Sequence, residues 1–388
     1  MLRRSFAITA LGAIAAFVQP ASGIAQDVKL PAQMVWMGFD TGSASFNMAV
    51  AMGQAFKNAY GSDLRLIAGS NDIARLAPVR GGRAVLAQTG IGAYFAQEGI
   101  DEFGVKEWGP QKLRRVASAH PSVHVTIVAA NDVGIKTLAD LKGKRVAWVV
   151  GSPGVNRAVT AQLAFAGLIW ADVKKVEFAS FNATLNGILN GEVDAAYTNT
   201  TTGKLQEIDR SPRGIHFPAL PHAEEAGWTR MTKIAPFFIK SHATLGVGLS
   251  KDKPHEGGAY PQPNLVTYPE QNADVIYNIV KAMIVQFDKY KDSVIGAEGF
   301  AVNLLPRQWV IPFHEGAIRA FREHKVWDDA AQKHNDALIK RQDVLAAAWG
   351  KVADKKNLGD TEFRAEWQKV RADSLRAAGL DPVWDSWD

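Results

Sequence analysis

The sequence predicts an α/β protein of two lobes, each a largely parallel sheet with helices on both faces, followed by a helical C-terminal extension. Three observations point there. Short apolar runs alternate with helix-spaced segments over residues 34–130, the same alternation resumes over 132–197, and from about residue 270 the pattern is helical to the end. The length, 388 residues, fits two domains and an extension.

Met34–Met37 is the first strand, and the helix after it places Phe46, Val50, Gly53, Phe56 and Tyr60 on one face. Leu64–Ile67 and Ala84–Ala87 follow as strands, and Val123–Ala129, continuous and β-branched, reads as a buried one. In the second unit Val146–Val150, Lys174–Phe178 and Asp194–Tyr197 are strands. Val155, Ala158, Val159, Gln162, Leu163 and Ala166 space a helix between them, and Leu185, Ile188 and Leu189 a shorter one. Residues 235–270 are rich in proline and glycine and read as a crossing or surface loop. Val275, Ile276, Ile279, Val280, Met283 and Phe287 then line a helix, and Pro312 fits a first helical turn. Phe363, Trp367, Val370 and Leu375 line a last one after Asp360. The tryptophans at 327, 349, 367, 384 and 387 lie on amphipathic spacing and read as packing residues. The expected division is a signal peptide over 1–25, a first lobe of 26–130 plus 265–335, a second of 131–264 including the crossing loop, and an extension over 336–388.

The opening MLRRSFAITALGAIAAFVQPASGIA has the build of an export signal. Arg3 and Arg4 precede the apolar stretch from Phe6 to Val18, and small residues follow at Ala21–Ala25. The stretch is shorter than the ~20 residues a membrane span needs. A periplasmic location is expected, with the Sec and twin-arginine routes both open. Cysteine is absent, which removes disulfides, thiolate metal sites and cysteine nucleophiles. The formal charge of +5 falls to +3 once Arg3 and Arg4 leave with the signal, and no run of like charges marks a nucleic-acid surface. The expected partners exclude nucleic acid, and the chain is expected to be a monomer.

Catalytic motifs are missing. No Gly-x-Ser-x-Gly elbow, Walker loop or His-Glu-x-x-His motif occurs. His120 and His124 lie in an extended segment where residues four apart do not converge, and His314-Glu315 reads as a surface pair at a helix start. The expectation is a protein that is not an enzyme, with no cofactor and no metal.

What recurs is a loop rich in Gly, Ser, Thr and Asn where a strand hands over to a helix: residues 40–47, 69–72, 88–90, 151–157, 180–184 and 198–202. In open α/β sheets ligands bind beyond the carboxyl ends of the strands. Free N–H groups at a helix start also attract carboxylates. Arg75 and Arg157 offer charge-assisted contacts to such an anion. The same Ser and Asn side chains serve equally as helix caps, and both roles stay open at this point.

Five stretches together resemble the TAXI family, the solute receptors of TRAP transporters. They are GFDTGSASFN, AGSNDIARL, VTIVAANDVGIKTLADLKGKRVAWVVGSPG, ILNGEVDAAYT and PFHEGAIRAFREHKVW, in that order over residues 34–330. The resemblance implies the two-lobed periplasmic-binding-protein architecture of type II, the Venus flytrap. It implies hinge closure on a small organic acid, glutamate-like or a dicarboxylate, and delivery to the permease subunits of a TRAP transporter. The ligand contacts it implies are Thr41, Gly42, Ser43, Ser45, Phe46, Ser70, Asn71 and Gln88 in the first lobe. In the second lobe they are Asn156, Arg157, Tyr197, Thr198 and Asn199, and Arg75 joins them from the residue reading. The alternatives weighed are a receptor of the same shape serving an ABC importer, an exported enzyme on the same frame, and a sensor partner.

Overall fold

The computed structural model describes residues 28–387 except Asp40, Gly42, Ser70, Gly151, Ser152, Ser180 and Lys356, so the expected signal peptide lies outside the described residues. Strands β1 (Gln33–Gly38), β2 (Asp63–Ala68), β3 (Leu86–Thr89) and β4 (Arg114–Ser118) open the chain. They are followed by β5 (Val125–Ala130), β6 (Arg145–Val149), β7 (Lys174–Phe178), β8 (Ala195–Asn199) and β9 (Ile215–His216). Strands β10 (Ile239–Ala243), β11 (His255–Ala259) and β12 (Asn264–Thr267) complete the set. They form two five-stranded sheets, ordered β2-β1-β3-β12-β4 and β7-β6-β8-β5-β9, and a separate β10-β11 pair. The two five-stranded sheets with their flanking helices make the two-lobed α/β frame that the sequence predicts.

Each sheet is mixed rather than largely parallel, and the crossings explain why. β1 pairs in parallel with β2 and β3, and β6 with β7 and β8. β12 runs antiparallel to β3 and β4, and β5 antiparallel to β8 and β9. A strand reached by a direct crossing enters its sheet from the cleft edge, where the other strands end, so it must run the opposite way. Val125–Ala130 is therefore a strand of the second sheet. We place the first crossing at residues 119–124, ahead of the expected boundary at 130, and the second at 260–263.

Residues 235–270, expected as loop, hold three strands. Glycine weakens a strand unless something must approach its backbone closely. Here Trp228 does: a Cβ on Gly258 would sit 2.6 Å from the indole. β4 is not among the expected strands; it opens with Arg114 and Arg115, and Arg115 is fully buried.

The helix Ala44–Tyr60 starts where Ser43 Oγ accepts from the Phe46 amide, and it stops at Gly61, whose φ of 69° suits glycine. Its buried face is Met48, Ala49, Met52, Ala55 and Phe56, whereas Val50, expected inside, is 50% exposed. The predicted faces of the helices Pro153–Phe165 and Ala273–Val285 do lie inside, through Ala158, Val159, Leu163, Ile276, Ile279, Val280 and Met283. Pro312 lies ahead of the helix Glu315–Glu323, whose N-cap is His314. His314 is buried rather than a surface residue.

Arg115 shows how this core tolerates a charge. Its guanidinium lies 3.9 Å from the Phe313 ring centre, faces no carboxylate among the described residues, and leaves Nε and Nη1 without hydrogen-bond partners. Burial alone holds its pKa well below the usual arginine value. Desolvating a charge costs more than its two cation–π contacts, to Phe313 and Trp309, return. Arg115→Met is therefore expected to leave thermal stability unchanged or raise it; a fall of more than ~1 kcal/mol in urea unfolding would contradict that balance.

The C-terminal helices Asp329–Gly350 and Asp360–Ala377 brace the first lobe. Trp367 is fully buried, and its Nε1 donates to the Gly99 carbonyl at 2.6 Å. Trp349 stands edge-on to Trp367 and Phe363, and Trp327 stacks on Phe321, so these indoles pack as their spacing predicts. Beneath them Glu98, on the helix Gly92–Glu98, accepts from both Arg341 and Arg371.

Candidate functional site

All six polar loops follow the carboxyl ends of strands, after β1, β2, β3, β6, β7 and β8. Strands that run parallel end at one edge, so in each lobe the loops gather on that edge. A cavity of about 320 Å³ opens where the two lobes meet. One wall is the first turn of the Ala44–Tyr60 helix, through Ala44, Ser45 and Met48; the facing wall is Asn199 and Thr201, at the end of β8. The crossings supply His120, Ser122, Val123, Tyr260 and Gln262, and Ile295 and Gly296 close one side. A second hollow of about 430 Å³, which includes Gln206, Asp209 and Arg210, shares Thr201 and Ile295 with the first.

The structure brings Ser45 and Asn199 into the cleft and gives most of the other expected contacts structural work. Ser43 and Asn71 are caps, accepting from the amides of Phe46 at 3.2 Å and Ala74 at 2.8 Å. Gln88, buried behind the wall, donates to the Ser45 carbonyl at 2.6 Å and accepts from the Phe39 amide at 3.3 Å, so it sets the path of the 39–46 loop. Phe46 packs on Gly38. Asn156 pairs both ways with the Val149 backbone. Thr198 is buried and bonded within its own turn. Tyr197 stands behind Tyr260, hydrogen-bonded to it, and burial first, then Tyr260, pushes its pKa well above the phenol value. Thr41 is exposed, and Gly42 and Ser70 lie outside the described residues.

The two arginines are engaged elsewhere. Arg75 donates to the Gly69 carbonyl and to Asp72, each at 2.7 Å, and lies over the Phe39 ring. Arg157 donates to both oxygens of Asp101 and lies over Trp384, 4.3 Å from the ring centre. That pair ties the Pro153–Phe165 helix of the second lobe to the first. Neither arginine lines the cavity, and among the described residues no lysine or arginine does. His120 adds no fixed charge, since burial lowers its pKa.

What remains for an anion is backbone. The amides of Ala44 and Ser45 have no acceptor among the described residues, and they stand at the positive end of a helix of 17 residues. Around them the wall is apolar: Met48, Val123, Val125 and Ile295. The crossing residues had no sequence signal of their own. They become visible only once two crossings are known to meet at one edge.

A model of the NMT1-like family matches residues 40–324. Among solved structures, the periplasmic aliphatic sulphonate binding protein SsuA from Escherichia coli is 16% identical, with 91% of this chain and 89% of that one covered and a TM-score of 0.44. A putative periplasmic sulfonate-binding protein SsuA of a sulfonate ABC transporter, from Methylobacillus flagellatus KT, is 13% identical over 91% and 96%, with a TM-score of 0.44. The second substrate-binding domain of GlnP from Lactococcus lactis, in an open conformation, is 14% identical over 70% and 96%, with a TM-score of 0.39.

Proposed function

The chain belongs to the NMT1-like family of periplasmic solute-binding proteins, and on that footing we propose that it is an exported receptor that captures a small solute between its lobes for a membrane importer. The observation that carries the reading is the cavity itself. It opens where both crossings meet, with the free N–H groups of a helix start on one wall and Asn199 and Thr201 on the other. A ligand touching both walls stabilises the closed form, which is what a permease would recognise.

The ligand we favour is an organic acid with one carboxylate and an apolar body. The carboxylate sits on the Ala44 and Ser45 amides, and the body lies against Met48, Val123 and Ile295. A glutamate-like or dicarboxylate ligand would bring a second negative charge to a wall that holds no cation among the described residues. Desolvating that charge without a partner costs several kcal/mol. Titration calorimetry against C4–C6 monocarboxylates, dicarboxylates and uncharged amides is expected to find the monocarboxylates tightest, at roughly micromolar Kd. Tighter binding of the dicarboxylates, or equal binding of the amides, would remove the single-carboxylate reading.

We take an ABC importer first as the partner, the kind of transporter named for the sulfonate-binding protein from Methylobacillus flagellatus KT. The five TAXI-like stretches favour a TRAP permease as the second reading. A neighbouring ATPase gene supports the first, and a neighbouring multi-spanning permease gene without one supports the second.

A further inference from the structure

A cluster outside the cleft has metal-ligand chemistry. β10 and β11 pair antiparallel with His242 directly opposite Glu256, and the segment before them brings His222 over the same pair. One ligand atom from each of the three lies within 4.8 Å of the others. None of the three lines the cleft.

The orientation of His222 is the second observation. Its Nε2 faces two backbone carbonyls, Gly257 at 2.8 Å and Ser241 at 3.1 Å. A protonated Nε2 satisfies both, and in the neutral ring of that tautomer Nδ1 keeps its lone pair for a metal. A histidine that binds a metal usually donates its other N–H to a carbonyl in this way. That Nδ1 faces Glu256 Oε1 at 3.8 Å, too far for a hydrogen bond. Two ligands of one zinc-like ion, each at about 2.0–2.2 Å, lie roughly 3–4 Å apart, so the spacing suits a shared ion. Glu256 is itself held, because its Oε1 accepts the His222 amide at 2.7 Å. His242 is exposed, its ring makes no hydrogen bond among the described residues, and it packs edge-on to His222 with 4.7 Å between ring centres.

The neighbouring histidines do not compete. His124 and His255 bond to each other through Nδ1 at 2.9 Å, and their remaining nitrogens meet Ser241 Oγ and the Pro218 carbonyl. Lys240, the nearest cation on the hairpin, is turned to Glu225 and the His222 carbonyl.

We propose that His222, His242 and Glu256 bind one divalent transition-metal ion of the zinc type, with solvent completing its coordination, and that the ion pins the 220–224 segment to the β10-β11 hairpin. Two imidazoles and a carboxylate select late first-row ions over magnesium or calcium. The test is calorimetric titration of the untagged chain with Zn²⁺, alongside thermal unfolding with and without the ion. One equivalent is expected to bind and to raise Tm, with affinity falling roughly ten-fold or more in His242→Ala. His334→Ala, a histidine far along the chain, should bind as the parent does. Absence of saturable uptake by the parent, unchanged affinity in His242→Ala, or an equal loss in His334→Ala would each overturn the proposal.

Discussion

Glu98→Ala is expected to destabilise the chain by about 3–5 kcal/mol, more than any other single change considered, because it leaves two guanidiniums without their counter-charge. Arg341 donates through Nε and Nη2 at 2.8 Å each, and Arg371 donates at 2.5 Å while also bonding the Glu98 carbonyl at 3.1 Å. Both Glu98 and Arg371 are completely buried. Burial by itself would push the Glu98 pKa up, but the charges of Arg341 and Arg371 outweigh it and bring the carboxyl down to about 2. Stability from this group is thus fully present above the unfolded-state value near 4.5 and is lost as the pH falls from there through about 2. Urea unfolding at neutral pH should show the deficit, and the deficit should shrink between pH 4.5 and 2, where the parent loses the same contribution. A variant within ~1 kcal/mol of the parent at neutral pH would mean that the C-terminal helices do not depend on this triad.

Filling the cleft should have the largest effect on binding. Ser45 is in the first turn of its helix and half-buried, and its main contact is made by its backbone carbonyl, which accepts from Gln88. Ser45→Trp therefore keeps the bond that shapes the loop while placing an indole in a cavity of about 320 Å³. Ligand affinity should fall by roughly a hundred-fold or more, since the indole takes the space that the ligand's body needs. The unfolding midpoint should stay near that of the parent, because the indole enters the cleft rather than the core. Equal affinities in parent and variant would place the ligand elsewhere.

The alternation of strands and helices was legible because apolar runs and helical spacing depend on local sequence, and the helices over 153–165 and 273–285 bury the residues their spacing indicated. What escaped depends on partners distant in the chain. Gly257 and Gly258 read as loop until Trp228 and His124 are seen against them, and β4, which is not among the expected strands, carries an Arg115 whose partner Phe313 is distant in the chain. The same limit shaped the site. The six loops do end strands, yet a Ser, an Asn or an Arg in such a loop looks alike whether it faces a ligand or a protein group. Asp101 lies far from Arg157 in sequence and Asp72 close to Arg75, and both carboxylates take the charge assigned to an anion. Ser45 and Asn199 line the cleft because one lies in the first turn of its helix and the other ends β8.

The central claim is that a solute sits between the lobes with its carboxylate on the start of the Ala44–Tyr60 helix. A crystal structure of the chain with a bound monocarboxylate tests it most directly. The account predicts carboxylate oxygens within hydrogen-bond reach of the Ala44 and Ser45 amides, about 2.7–3.2 Å, with Asn199 or Thr201 contacting the same ligand from the other wall. A ligand held instead by Arg210 in the outer hollow, with the cleft occupied only by water, would contradict it.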